Sequence, residues 1–180
     1  METSFKTAVW GQFGAAVDML ENAIAACPDE IWSDPSRRPE WVKNDIVGYW
    51  YLVFHTLFWL DYYLSDVGKG FTPPPPFTLD ELDPAGLLPD RPYTKRELQT
   101  YLEHGRRKCH EVIEALDEKR AFQSKTSTQP SLSVAELLLY NLRHVQHHTA
   151  QLNLILRQKT DSAPSWVSRT RKVPGIGPKH

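Results

Sequence analysis

The stretch at residues 131–158, SLSVAELLLYNLRHVQHHTAQLNLILRQ, constrains the fold most tightly. Val134, Leu138, Val145, Leu152 and Ile155 recur at helical spacing and mark an inward face. Ser133-Val134-Ala135-Glu136 has the form of a capping box, which places a helix start there. Three histidines, His144, His147 and His148, fall within five residues of this one helix, and His148 lies in its apolar stripe. Such a helix must be buried by others, and the rest of the chain supplies them.

Residues 3–26 repeat Phe5, Val9, Phe13, Val17 (or Ala16), Leu20 and Ile24 every three or four positions, and Cys27-Pro28 ends that helix. The connection at 29–39 is rich in Pro, Ser and Asp, with Trp32 expected to tuck back onto the core. Residues 41–65 predict a second helix, apolar on two faces. One stripe is Ile46, Trp50, Val53, Leu57, Leu60 and Leu64; the other is Tyr51, His55, Phe58 and Tyr62. A helix apolar on both sides is buried on both sides, and the second face is assigned here to a subunit interface. Asp45 and Asp61 bracket a run too short for a bilayer, which needs about 20 apolar residues.

A connection at 66–93 follows, with four consecutive prolines at 73–76 expected to be extended and stiff. It is long enough to travel the length of a bundle and let the third helix run parallel to the second. Thr94-Lys95-Arg96-Glu97 is another capping box, and Leu98, Leu102, Gly105, Cys109, Val112 and Leu116 give the third helix its stripe. Gly105 within it marks close packing. His104 and His110, about 120° apart around a helix, are read as surface residues, and Cys109 as a small buried hydrophobe. A polar loop at 119–130 leads to the histidine helix. These elements define an all-α fold, a four-helix bundle with a long crossover between the second and third helices. One domain spans 1–180, with 160–180 as a non-helical basic tail that Trp166 is expected to anchor over the bundle or on a partner subunit.

Composition bounds the function. With 180 residues, 41% of them hydrophobic, and a net charge of −1, the chain can build a core and has no global pull toward nucleic acid or anionic membrane. Two cysteines cannot form a disulfide framework and suit a reducing, cytoplasmic setting. The N-terminus, METSFKTAVWGQF, lacks the basic start and apolar run of a signal peptide.

The chemistry lies in the histidine spacing. His144 and His148 are separated by four residues, so both rings leave one helix face and can meet one divalent metal. His55, in the apolar second helix, is the expected third ligand. Three imidazoles leave a coordination position open, as in reactive sites. His147 can substitute for His148, although its direction, about 100° away, suits a supporting role better. The segment is not the H-E-x-x-H protease motif, and no carboxylate stands beside the ligands in sequence. A general base must then arrive through the fold or with the substrate. Tyr51 and Trp59, one turn either side of His55, are placed to line a pocket, and Gln151 to orient a ligand or bound water.

Two segments carry a resemblance. Phe54-His55-Thr56-Leu57-Phe58-Trp59-Leu60-Asp61 and Leu142-Arg143-His144-Val145-Gln146-His147-His148-Thr149-Ala150-Gln151-Leu152 resemble the DinB-like superfamily of metal-binding four-helix bundles, which includes thiol S-transferases. Trp166-Val167-Ser168-Arg169 is similar to a family-type ending. The resemblance implies one divalent ion, Zn or Ni, on His55, His144 and His148, and a homodimer. It also implies a small-molecule substrate such as a low-molecular-weight thiol. Many members have H-R-G-Q where this chain has His148-Thr149-Ala150-Gln151, a departure that bears on substrate class. A metal-dependent hydrolase and a bundle with a structural metal are the alternatives.

Overall fold

The computed structural model describes residues 3–34, 48–65, 70–123 and 132–174. Its helices are α1 (Thr3–Ala26), α2 (Asp29–Trp32), α3 (Tyr49–Leu64), α4 (Lys95–Glu114), α5 (Glu118–Ala121) and α6 (Val134–Thr160), with a 3-10 turn at Asp80–Leu82. No strand occurs among the described residues, and no helix there is long and apolar enough to cross a membrane. The predicted start of the second helix, from Trp41 through Ile46, lies outside the described residues, as do parts of the 119–130 loop and the end of the tail.

Both predicted capping boxes form. Glu97 N–H donates to Thr94 Oγ1 at 3.2 Å while the Glu97 carboxylate accepts from Thr94 N–H at 2.7 Å. Ser133 and Glu136 repeat the exchange at 3.2 and 2.9 Å. α6 stops where Asp161 turns left-handed, φ 54°. The short helices α2 and α5 fall where loops were expected. In α2, burial of Ile31 and Trp32 holds the turn, and the Trp32 indole donates to Tyr93 O at 2.8 Å. In α5, Asp117 caps Arg120 N–H at 2.7 Å.

The four long helices form a square in the order α1, α4, α3, α6. Trp50 and Phe54, early in α3, pack on Tyr93 just ahead of α4, while Asp61, late in α3, pairs with Lys108, late in α4. α3 and α4 therefore run parallel, as the long connection predicts. α1 opposes α4, since Lys6 reaches Glu114 O at 2.5 Å and Glu21 meets Arg106 at 2.7 Å. α6 opposes α3, since Tyr140 meets Tyr63 and His148 meets His55. The core is built from Phe13, Val17, Leu20 and Ile24 of α1, Val53, Leu57 and Leu60 of α3, Leu98, Leu102 and Cys109 of α4, and Val145 and Leu152 of α6. Phe5, placed on the α1 stripe by spacing, is 47% exposed because the bundle ends before it. A Cβ on Gly105 would lie 2.9 Å from Leu60 Cδ2, the close approach its position predicts.

The crossover differs from expectation. The proline run is not an extended rod. Phe77 N–H donates to Pro74 O at 3.0 Å in a turn around a cis Pro75–Pro76 bond. That turn drives Phe77 into the core, where its ring stacks on Tyr101 at 4.3 Å and packs on Phe54 and Tyr93. Phe71 of the same connection covers Phe58 and Tyr62. The crossover thus covers part of the second apolar face of α3 from within the chain, with His55 and Tyr62 left half-buried.

The tail is also different. Trp166 is 69% exposed and anchors nothing in the bundle. Thr170 does so instead. Its amide donates to Gly11 O at 3.0 Å and its hydroxyl to Asp18 at 2.6 Å, while the Trp10 indole donates to Lys172 O at 3.1 Å.

Candidate metal centre

α3 and α6 pack antiparallel, and this brings His55 level with the pair on α6. Ring centroids lie 5.4 Å apart for His55 and His144, 4.9 Å for His55 and His148, and 4.5 Å for His144 and His148. One ligand nitrogen from each lies within 4.8 Å of the others, close enough for one ion to be shared. Among the described residues this is the one cluster of its kind, and it has three members. His148 is buried; His55 and His144 are half-buried.

The ring nitrogens are held from behind. Gln151 Oε1 lies 2.7 Å from His148 Nδ1; the amide oxygen accepts the ring N–H, which leaves the lone pair on Nε2 free for a cation. Glu81 Oε2 lies 2.7 Å from His55 Nδ1 and accepts the Trp59 indole N–H at 2.8 Å. The Nδ1 of His144 is buried with no hydrogen-bond partner, an orphaned polar atom that a cation would satisfy. The donor set, three imidazoles with partners behind two of them, fits a divalent transition metal.

Electrostatics agree. Burial pushes the His144 imidazole down from 6.5 to about 3, with the other histidines adding to the effect. Burial, then His55, lowers His148 to about 4. Both are therefore neutral at pH 7, the form that binds a metal. Burial alone would raise the Glu81 carboxyl, but hydrogen bonds from His55, Tyr51 and Trp59 hold it below the ordinary range. Tyr51 is pushed up by burial and then by Glu81.

Each residue singled out in sequence has a place. Gln151 and Trp59 act through hydrogen bonds, and Tyr51 lies buried between Glu81 and His55, its ring 6.5 Å from the latter. His147 is exposed, with its ring 5.1 Å from His148, and stands outside the cluster of three. His104 and His110 are more engaged than surface residues. His104 lies 3.5 Å from buried Asp61, and His110 packs edge-on against Trp10 at 4.8 Å. Cys109 is buried, and burial raises its thiol well above the usual range, so it is a packing residue. Sequence reasoning missed Glu81. It sits in Leu79-Asp80-Glu81-Leu82, a segment without a helical period, and its one signal was the length of the connection carrying it.

A family model described as the DinB superfamily matches residues 12–152, a span holding all three histidines, Glu81 and Gln151. No curated protein and no solved structure matches the chain.

Proposed function

The chain belongs to the DinB superfamily, and on that premise we propose that it is a metal-dependent enzyme joining a low-molecular-weight thiol to a small electrophile, in detoxification or stress response. The observation that carries this is the convergence of three imidazoles within 4.8 Å, with no fourth protein ligand among the described residues. Zn or Ni suits that set, and such an ion would lower the pKa of a thiol or water bound at the remaining position. His55, His144 and His148 are the proposed ligands. Glu81 and Gln151 orient two of them, while Tyr51 and Trp59 line the approach from α3. His147, exposed beside His148, stands at the rim.

The thiol reading is preferred to a hydrolase for a specific reason. No carboxylate stands beside the ligands in sequence, and the one the fold brings to them, Glu81, is engaged by His55 and Trp59 through Oε2. A thiolate needs less proton transfer than a hydroxide attacking an ester. The same reading takes the chain as a single domain over 1–180, in a cytoplasmic setting that suits two free, buried cysteines. It takes the assembly as a homodimer on the family's habit.

The test is metal content per chain, by elemental analysis on protein purified without a histidine tag, beside a His144→Ala/His148→Ala variant. About one Zn or Ni per chain is expected, the stoichiometry of a mononuclear site, and its loss in the variant. Screening thiols against electrophiles with the loaded protein follows. No metal in either protein, with no stability gained on adding zinc or nickel, sinks the reading.

A further inference from the structure

Glu81 is the least expected feature of the site. It lies on a single 3-10 turn in the crossover, yet its side chain is only 6% exposed. A carboxylate held that far from water is costly unless its partners are well placed. Here Oε2 has two, His55 Nδ1 at 2.7 Å and Trp59 Nε1 at 2.8 Å, while Oε1 is buried with no hydrogen-bond partner. An ionised carboxylate only accepts, so the proton between Glu81 and His55 belongs to the imidazole and sits on Nδ1. The lone pair is then on Nε2. The chain reaches the same outcome at His148 with a neutral amide, Gln151. His55 is the ligand given a full negative charge behind it, and that charge comes from a different part of the chain.

We propose that Glu81 is the positioning residue for the metal centre. It fixes the His55 tautomer, raises that ring's basicity toward the ion, and ties the crossover to metal binding. The proposal rests on the metal reading above. In its favour, the crossover is already seated independently by Phe71 and Phe77. Glu81 is therefore not needed to hold the segment down. Partners of this kind behind metal-bound histidines are worth about 10–100-fold in metal affinity.

The test uses the full chain in three variants, with zinc chloride as the probe. Affinity is read by competition with a chelator, and the His55 tautomer by ring 15N shifts in the metal-free protein. Glu81→Ala is expected to lose the Nδ1–H preference and about 10–100-fold in zinc affinity. Glu81→Gln, whose amide oxygen still accepts from Nδ1, is expected to keep the tautomer and lose less. Phe77→Leu loosens the crossover without touching Glu81, so it should lower thermal stability and leave the His55 shifts unchanged. The proposal is overturned if Glu81→Ala binds zinc like the wild type or keeps Nδ1 protonated. It is also overturned if Phe77→Leu reproduces the Glu81→Ala shifts, since packing alone would then set the ring. Should the wild type bind no zinc, the metal reading fails separately, and the 15N shifts still decide whether Glu81 orients His55.

Discussion

Below pH 6.5 the metal-free protein should begin to lose stability because of two residues. His144 and His148 titrate at about 3 and about 4 when folded, against 6.5 in an ordinary setting. Between those values the unfolded chain binds protons that the folded chain refuses, so stability is fully present above 6.5 and falls as the pH drops through that window. Glu81 and Asp61, held below their ordinary values by hydrogen-bonded partners despite burial, lose their contribution at still lower pH. Thermal midpoints measured from pH 8 to pH 4 in a chelator should therefore slope downward in the wild type. In His144→Gln/His148→Gln the slope between 6.5 and 4 should flatten, because the titrating rings are gone. An unchanged slope would show that other groups set the acid limit. The histidines were legible in the sequence, since a four-residue spacing is a local property of one helix. Glu81 was not, because its contact with His55 joins two segments separated by a connection with no period to read.

At the scale of elements, the docking of the tail onto α1 depends on a missing side chain. A Cβ on Gly14 would lie 2.4 Å from Thr170 Cγ2 and 2.9 Å from Thr170 Cβ, so Gly14 makes room for the residue that anchors the tail. Thr170 in turn donates to Asp18 at 2.6 Å, one turn further along α1. Gly14→Ala gains helix propensity of up to about 1 kcal/mol. It also forces Thr170 away from Gly11 and Asp18, and overpacking of this kind costs about 1–3 kcal/mol. The expected result is a lower thermal midpoint and faster proteolytic cutting within 161–174, with the helices still protected. Stability equal to or above the wild type, with an uncut tail, would contradict this. The helices themselves were readable because period and capping boxes are written in neighbouring residues. The tail was not, because apolarity pointed to Trp166 while the actual anchor is a small hydroxyl fitted to a glycine.

Across the whole molecule, the four helix seams are held by different chemistry. The α1–α4 seam contains Arg106, 2% exposed, which donates to Asp18 at 2.5 Å, Glu21 at 2.7 Å and Glu103 at 3.2 Å. The α3–α4 seam contains buried Asp61, paired with Lys108 and accepting from the Tyr101 hydroxyl at 3.2 Å. In the α1–α6 seam Gln146 approaches the Met19 sulfur at 4.0 Å. The α3–α6 seam has the three imidazoles, of which burial keeps His144 and His148 neutral. The ion-paired seams are therefore complete within the chain, whereas a cation on the three histidines would add to the histidine seam. Arg106→Leu leaves Asp18 buried beside Thr170 and Lys172 with its main partner gone, and breaking such a pair costs about 3–5 kcal/mol. Yet Arg106 joins α1 to α4, and a metal on the three histidines would join α3 to α6, so the two should act independently. Zinc at about 100 times its dissociation constant should add about 2.7 kcal/mol to the wild type and to Arg106→Leu alike. Denaturant unfolding of both proteins, with zinc and with chelator, checks this. A zinc increment that shrinks in Arg106→Leu would mean that the seams are coupled through α3 and α4, and that the metal stabilises the bundle as a whole.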